Sequence, residues 1–138
     1  VSAIKHAHHK FDIYIPGKDS FRIRKAGASQ TLIFNNHRSA LISENAKKIF
    51  TLEQAITQIN SNVDIILIEG LKSMAYPKIE VYRKNISNEL LYKKDSNIIA
   101  VASDSLLNIK IPCLNLNDIS TIVDFIIADK NKYQLNND

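Results

Sequence analysis

With 138 residues, 45% hydrophobic and 23% charged, the chain has the composition of one globular domain; it holds no secretory signal and no apolar run near the roughly 20 residues that cross a bilayer. A single cysteine, Cys113, excludes an internal disulfide and reads as a buried thiol in a reducing cytoplasm. The net charge of +4 is confined to residues 1–25, where Lys5, Lys10, Lys18, Arg22, Arg24 and Lys25 oppose Asp12 and Asp19; such a segment suits a phosphate-bearing ligand or an acidic partner but, without a broad basic face or interleaved aromatics, not nucleic acid.

Residues 1–6 read as a strand, followed by a polar stretch in which His6, His8, His9 and Asp12 crowd together. Zinc is the weaker reading of that cluster, because His8 and His9 are adjacent, the cysteine is far away and no His-x-x-x-His pair is present. The imidazoles and Asp12 instead contact a polar ligand or line a solvated loop. Pro16 and Gly17 mark a turn, after which Asp19 or Ser20 caps a short helix through Ala26 that Gly27 stops in a left-handed conformation. The start of that helix, next to Lys18, offers backbone amides to an anion, or is plain capping.

Residues 30–34 and 39–43 are short apolar runs around a turn-like Asn35-Asn36-His37-Arg38 and read as a hairpin. Thr51 and Gln54 form a capping box at the head of an amphipathic helix carrying Leu52, Ala55, Ile56 and Ile59. That helix leads into Asp64-Ile65-Ile66-Leu67-Ile68-Glu69-Gly70. An unbroken apolar run of this kind is predicted to be a central strand of a parallel sheet, covered on both faces. Residues 78–83 alternate like a strand exposed on one face, and residues 98–102, leading to Ser103 and Asp104, form a twin of the central run. Residues 111–116 are a last short strand, and Asp118 caps a final helix with Ile119, Ile122, Val123, Ile126 and Ile127 on one stripe before a polar tail from Lys130. The predicted whole is one α/β domain over residues 1–138, a mostly parallel sheet with an antiparallel edge portion.

In such sheets ligands sit beyond the carboxyl ends of the strands. Glu69 stands at such an end, and Gly70 after it lets a ligand or loop approach closely. The plain alternative for Glu69 is a solvated carboxylate or one paired with nearby Lys72. Asp104 ends the second run and can accept hydrogen bonds from a base, or it starts a turn with Ser105.

The residues now on the page resemble one family. Ile4 to His9 with Asp12, Pro16 to Ser20, Arg24 to Ala28, Asp64 to Lys72 with Pro77 to Ile79, and Ile99 to Asp104 together resemble, in order, the MobB family of P-loop nucleotide-binding adapter proteins of molybdopterin-guanine dinucleotide biosynthesis. Lys10 and Leu71 are small departures from the family pattern. The resemblance implies the P-loop nucleoside triphosphatase type of fold, GTP and Mg²⁺ as cofactors, at most slow GTP hydrolysis, and assistance to a MobA-type guanylyltransferase acting on molybdopterin precursors in the cytoplasm; it leaves a homodimer open. It also implies that Glu69 is the catalytic and Mg²⁺-binding acid, and that His6, His8, His9, Asp12, Lys18, Asp19, Gly70, Lys72, Ser103 and Asp104 contact the nucleotide.

One departure is large. No Gly-x-x-x-x-Gly-Lys-[Ser/Thr] phosphate loop occurs among these residues, so the chain reads as an amino-terminally truncated product or gene fragment, lacking the first strand, loop and helix and inactive alone. Two other functions compete with the adapter: a partner-docking module without nucleotide, and another P-loop small-molecule kinase or ligase.

Overall fold

A computed structural model of the chain describes residues 1–7, 9–45, 49–59, 62–87 and 89–129. They fall into two compact units, Val1–Leu71 and Lys72–Asp138.

The first unit holds β1 (Ser2–Lys5), α1 (Asp19–Lys25), β2 (Gln30–Phe34), β3 (Ser39–Ser43), α2 (Leu52–Thr57) and β4 (Ile66–Glu69). β1 and β4 pair in parallel, from Ser2 opposite Ile66 to Lys5 opposite Glu69, and the ladder is extended at its end by the His6 amide donating to the Glu69 carbonyl at 2.9 Å. β4 does not behave as the doubly covered strand its composition predicts. Its residues alternate between half-buried and exposed, Leu67 is 46% exposed, and β1 is its one strand partner among the described residues.

β2 and β3 form the expected hairpin, Leu32 opposite Leu41, as an antiparallel sheet of their own. Its turn is closed by Asn35, whose Oδ1 accepts the amides of His37 and Arg38, both at 2.8 Å, the local bonding that makes Asn a turn residue. α2 starts on the reciprocal box: Thr51 Oγ1 accepts the Gln54 amide at 3.3 Å and Gln54 Oε1 accepts the Thr51 amide at 3.0 Å. α1 differs from expectation at its start. Its cap is Lys18, which makes no side-chain cap bond, and Asp19 lies in the first turn, where a carboxylate acts on the helix dipole rather than on a single amide. Gly27 does close the helix, at φ 100°.

The second unit holds β5 (Lys78–Tyr82), a 3-10 turn (Leu91–Lys93), β6 (Ile98–Ser103), β7 (Cys113–Asn115) and α3 (Ile119–Asp129). All three strands are parallel, with β6 in the middle. β6 is the covered strand: Ala100 and Val101 are fully buried and Ala102 and Ser103 nearly so. On the edge strand β5, Glu80 is buried and its carboxylate accepts the amides of Leu91 and Tyr92 at 2.8 and 2.9 Å, capping the 3-10 turn. Asp118 caps α3 as expected, taking the Thr121 amide at 3.1 Å and its hydroxyl at 2.7 Å. Of the stripe on α3, Ile122 and Ile126 are half-buried with Phe125, whereas Ile119, Val123 and Ile127 stay exposed. Cys113 is half-buried rather than buried, because β7 is an edge strand. The tail from Lys130 lies outside the described residues. No described helix is long and apolar enough to cross a membrane.

Candidate functional site

In the first unit the candidate residues gather where β1 and β4 end together. The parallel register sets Lys5 beside Glu69, and Lys5 Nζ donates to Glu69 Oε2 at 2.6 Å with both side chains largely in solvent. Lys5, across the sheet, is thus a partner of Glu69; the sequence neighbour Lys72 stands in a turn of the second unit.

Beyond Glu69 the chain turns back through two left-handed residues, Gly70 at φ 97° and Leu71 at φ 54°. A Cβ at Gly70 would lie 3.2 Å from both the Cβ and the carbonyl oxygen of His6, a tight contact that a glycine avoids. A leucine with positive φ is a costly conformation, of order 1–3 kcal/mol, of the kind that concentrates at ligand sites.

Asp12 accepts the Tyr14 amide at 2.9 Å and Arg24 Nη1 at 2.8 Å; the Tyr14 amide first, then the charge of Arg24, hold its carboxyl below the ordinary range. Arg24 goes on to Glu44, Nε to Oε1 at 2.8 Å, and stacks over the Tyr14 ring at 5.2 Å. Asp12 is thus engaged inside the chain, in a four-residue cluster that ties α1 to the end of β3. Lys10, Phe11, Asp12 and Arg24 line an open cleft of about 440 Å³ beside it. Sequence reasoning named Asp12 but missed Tyr14, Arg24 and Glu44, since nothing local links positions twelve and twenty residues apart. His6 and His9 are exposed; His8 lies outside the described residues. Lys18 and Asp19 sit at the start of α1, also exposed.

The second unit makes its own candidate site at the carboxyl ends of β6 and β7. Ser103, 2% exposed, accepts the Ser105 amide on its Oγ at 3.1 Å. Asp104 turns outward, and its Oδ1 accepts the Lys84 amide at 3.1 Å. Asn115 lies opposite Ser103 in register, its Oδ1 accepting the Asn117 amide at 2.9 Å. These residues, with Leu106, Cys113 and Leu114, line a cleft of about 260 Å³. The turn expected as the plain role of Asp104 and Ser105 is present, and it leaves the Asp104 carboxylate on the cleft wall.

Among the described residues no group of three or more His, Cys, Asp or Glu is arranged to hold a metal ion. Glu69 is an exposed carboxylate at a strand end, the kind of group of which Mg²⁺ takes one or two, completing its shell with water and phosphates.

Parallel strands in both units, with acids at or just beyond the carboxyl ends of β4 and β6, define an α/β protein with mostly parallel sheets. A solved structure with this fold is the crystal structure of molybdopterin-guanine biosynthesis protein B, to which the chain is similar with a TM-score of 0.64 over 94% of this chain and 78% of that one, at 18% identity. The chain belongs to the MobB family, described as molybdopterin guanine dinucleotide synthesis protein B, whose profile matches residues 1–104. It is 38% identical to the molybdopterin-guanine dinucleotide biosynthesis adapter protein of Escherichia coli strain K12 over 129 residues, 90% of this chain and 73% of the relative. It is 36% identical to the protein of the same description from Haemophilus influenzae, over 91% of this chain and 70% of the relative.

Proposed function

We propose that the chain is a GTP-binding adapter in molybdopterin guanine dinucleotide biosynthesis, acting in the cytoplasm beside a MobA-type guanylyltransferase and its molybdopterin precursor, and open to homodimer formation. Membership of the MobB family supports the pathway. The observation that carries nucleotide binding is the strand end itself: Glu69 closes β4, and Gly70 at φ 97° presses against His6, the close backbone approach that α/β sheets make where ligands bind.

Bound Mg²⁺ supplies positive charge that neutralises the nucleotide phosphates. On this reading Glu69 would hold the metal or a water of its shell, and Lys5, now paired with Glu69, would lie beside the phosphates. His6, His9 and Lys18 contribute donors and positive charge on the same unit, with His8 assigned to them from its place in the sequence. Asp12 and Asp19 position rather than contact, Asp12 through Arg24 and Asp19 through the first turn of α1. Within the second unit, taken by itself, Asp104 and Ser103 are assigned to a heterocyclic base.

Calorimetry with GTP, ATP and Mg²⁺, on this chain and on one extended upstream by a phosphate-loop segment, tests the proposal together with capture of a MobA-type guanylyltransferase. GTP preferred over ATP supports it; ATP preference points to a kinase or ligase. A second reading, a docking module without nucleotide, draws on the Lys5–Glu69 pair that occupies the acid. Capture of the guanylyltransferase with no nucleotide binding by either chain would select it.

A further inference from the structure

The cleft at the ends of β6 and β7 is small. At about 260 Å³ it falls below the roughly 300–1,000 Å³ of sites that enclose drug-sized ligands, and matches a single fused ring system better than a dinucleotide. Its polar groups are few and differ in kind. Asp104 commits Oδ1 to the Lys84 amide, leaving Oδ2 as a charged acceptor. Asn115 commits its Oδ1 to the Asn117 amide, which leaves the two N–H donors of Nδ2. Apolar surface comes from Leu106, 96% exposed, and from Cys113 and Leu114 on β7.

A carboxylate acceptor and an amide donor on one cleft wall are complementary to a heterocycle edge that reads amine, ring N–H, carbonyl. Asp104 Oδ2, with two lone pairs, accepts from the two adjacent N–H groups, and the Asn115 amide serves the carbonyl. Guanine has this edge, as N2, N1–H and O6. A pterin has the same one, as its 2-amino group, N3–H and O4. The family description names both heterocycles, a molybdopterin and a guanine, in one product.

We infer that this cleft recognises the 2-amino-4-oxopyrimidine edge shared by guanine and pterin, with Asp104 and Asn115 as the residues that read it. The inference extends the assignment of Asp104 to a base by adding Asn115 and by widening the ligand from guanine to the edge itself. Adenine fails on both groups, since it offers no ring N–H between an amine and a carbonyl. Hypoxanthine fails in part, lacking the amine. Sites built on such hydrogen bonds discriminate strongly because the unmatched partner leaves a polar group unpaired.

NMR titration of the whole chain tests it with five probes: guanosine monophosphate, 6-hydroxymethylpterin, inosine monophosphate, xanthosine monophosphate and adenosine monophosphate. Guanosine monophosphate, 6-hydroxymethylpterin or both should shift resonances of residues 103–106 and 113–115, with inosine monophosphate weaker by at least about tenfold. Guanosine monophosphate alone identifies the nucleotide as the source of the edge, and the pterin alone identifies the cofactor precursor. Asp104→Asn should weaken the binding probes at least about tenfold and favour xanthosine monophosphate, whose 2-oxo group needs a donor. Asn115→Leu should weaken every 4-oxo probe while the circular dichroism spectrum stays that of the parent. Inosine binding as tight as guanosine, no binding by guanosine monophosphate or the pterin, or indifference to both substitutions would overturn the inference. In the chain extended upstream by a phosphate-loop segment, binding of 6-hydroxymethylpterin without any GTP binding would sink the nucleotide proposal and leave this one standing; GTP binding there that is indifferent to Asp104→Asn and Asn115→Leu would do the reverse.

Discussion

Gly70 and His6 face each other across the ends of β4 and β1 so closely that a methyl group on the glycine would meet both the Cβ and the carbonyl oxygen of the histidine at 3.2 Å. Gly70→Ala therefore meets two costs at once, a left-handed φ and a backbone contact that must open by a few tenths of an ångström. A loss of roughly 1–3 kcal/mol of stability is expected. Gly17→Ala is the comparison: its φ is 85° but its added Cβ meets nothing within 4 Å, so thermal denaturation should show a smaller loss. Equal losses would mean that the close approach to His6 costs nothing.

Glu69→Gln should leave the fold as stable as before, since the ion pair it removes is exposed, and such pairs contribute about 0–1 kcal/mol. In a chain that carries the phosphate loop, Mg²⁺-dependent GTP binding should fall with it. Unchanged affinity for Mg²⁺ and GTP would make Glu69 a structural strand end held by Lys5.

The 138-residue chain should hydrolyse GTP no faster than a buffer control, because none of its loops has the spacing that cradles β- and γ-phosphates with amides and a lysine. Turnover that vanishes in Glu69→Gln would reveal another cradle, with Lys18 the first residue to replace.

Lys78 Nζ and the Asn97 amide bond to Asp95, and these, the lysine first, pull its carboxyl down to about 2 from the ordinary 3.8. A carboxyl lowered by folding stabilises the native state fully above the ordinary value and loses that contribution as the pH falls towards 2. Denaturant midpoints of the parent should therefore decline between about pH 4 and pH 2, and Asp95→Asn should flatten that decline. The same slope in both proteins would place the acid sensitivity elsewhere.

Glu80→Ala would strand two part-buried amides, of Leu91 and Tyr92. Each unpaired group costs about 1–3 kcal/mol, so the variant should be among the most destabilised on β5, with Glu80→Gln intermediate because its one remaining oxygen still accepts. A Glu80→Ala midpoint equal to the parent's would mean that water serves those amides.

What the sequence determined by itself is what short-range chemistry decides. The order of strands and helices, the Thr51–Gln54 box, the hairpin closed by Asn35, the Asp118 cap and the left-handed Gly27 depend on groups within a few residues of one another, and each could be read in place. Glu69 and Asp104 were legible as acids ending apolar runs. Which of the two runs is covered was not legible: residues 65–68 and 98–102 are equally apolar, and only the folded chain sets, among the described residues, β1 beside the first and both β5 and β7 beside the second. Tertiary structure also chose the partners. Lys5 reaches Glu69 from 64 positions away because parallel pairing aligns their strand ends, Arg24 bridges Asp12 and Glu44 because α1 packs by β2 and β3, and Asn115 joins Asp104 on one cleft because β7 runs beside β6. Charges and amides carry no address in the sequence; the register of the strands supplies it.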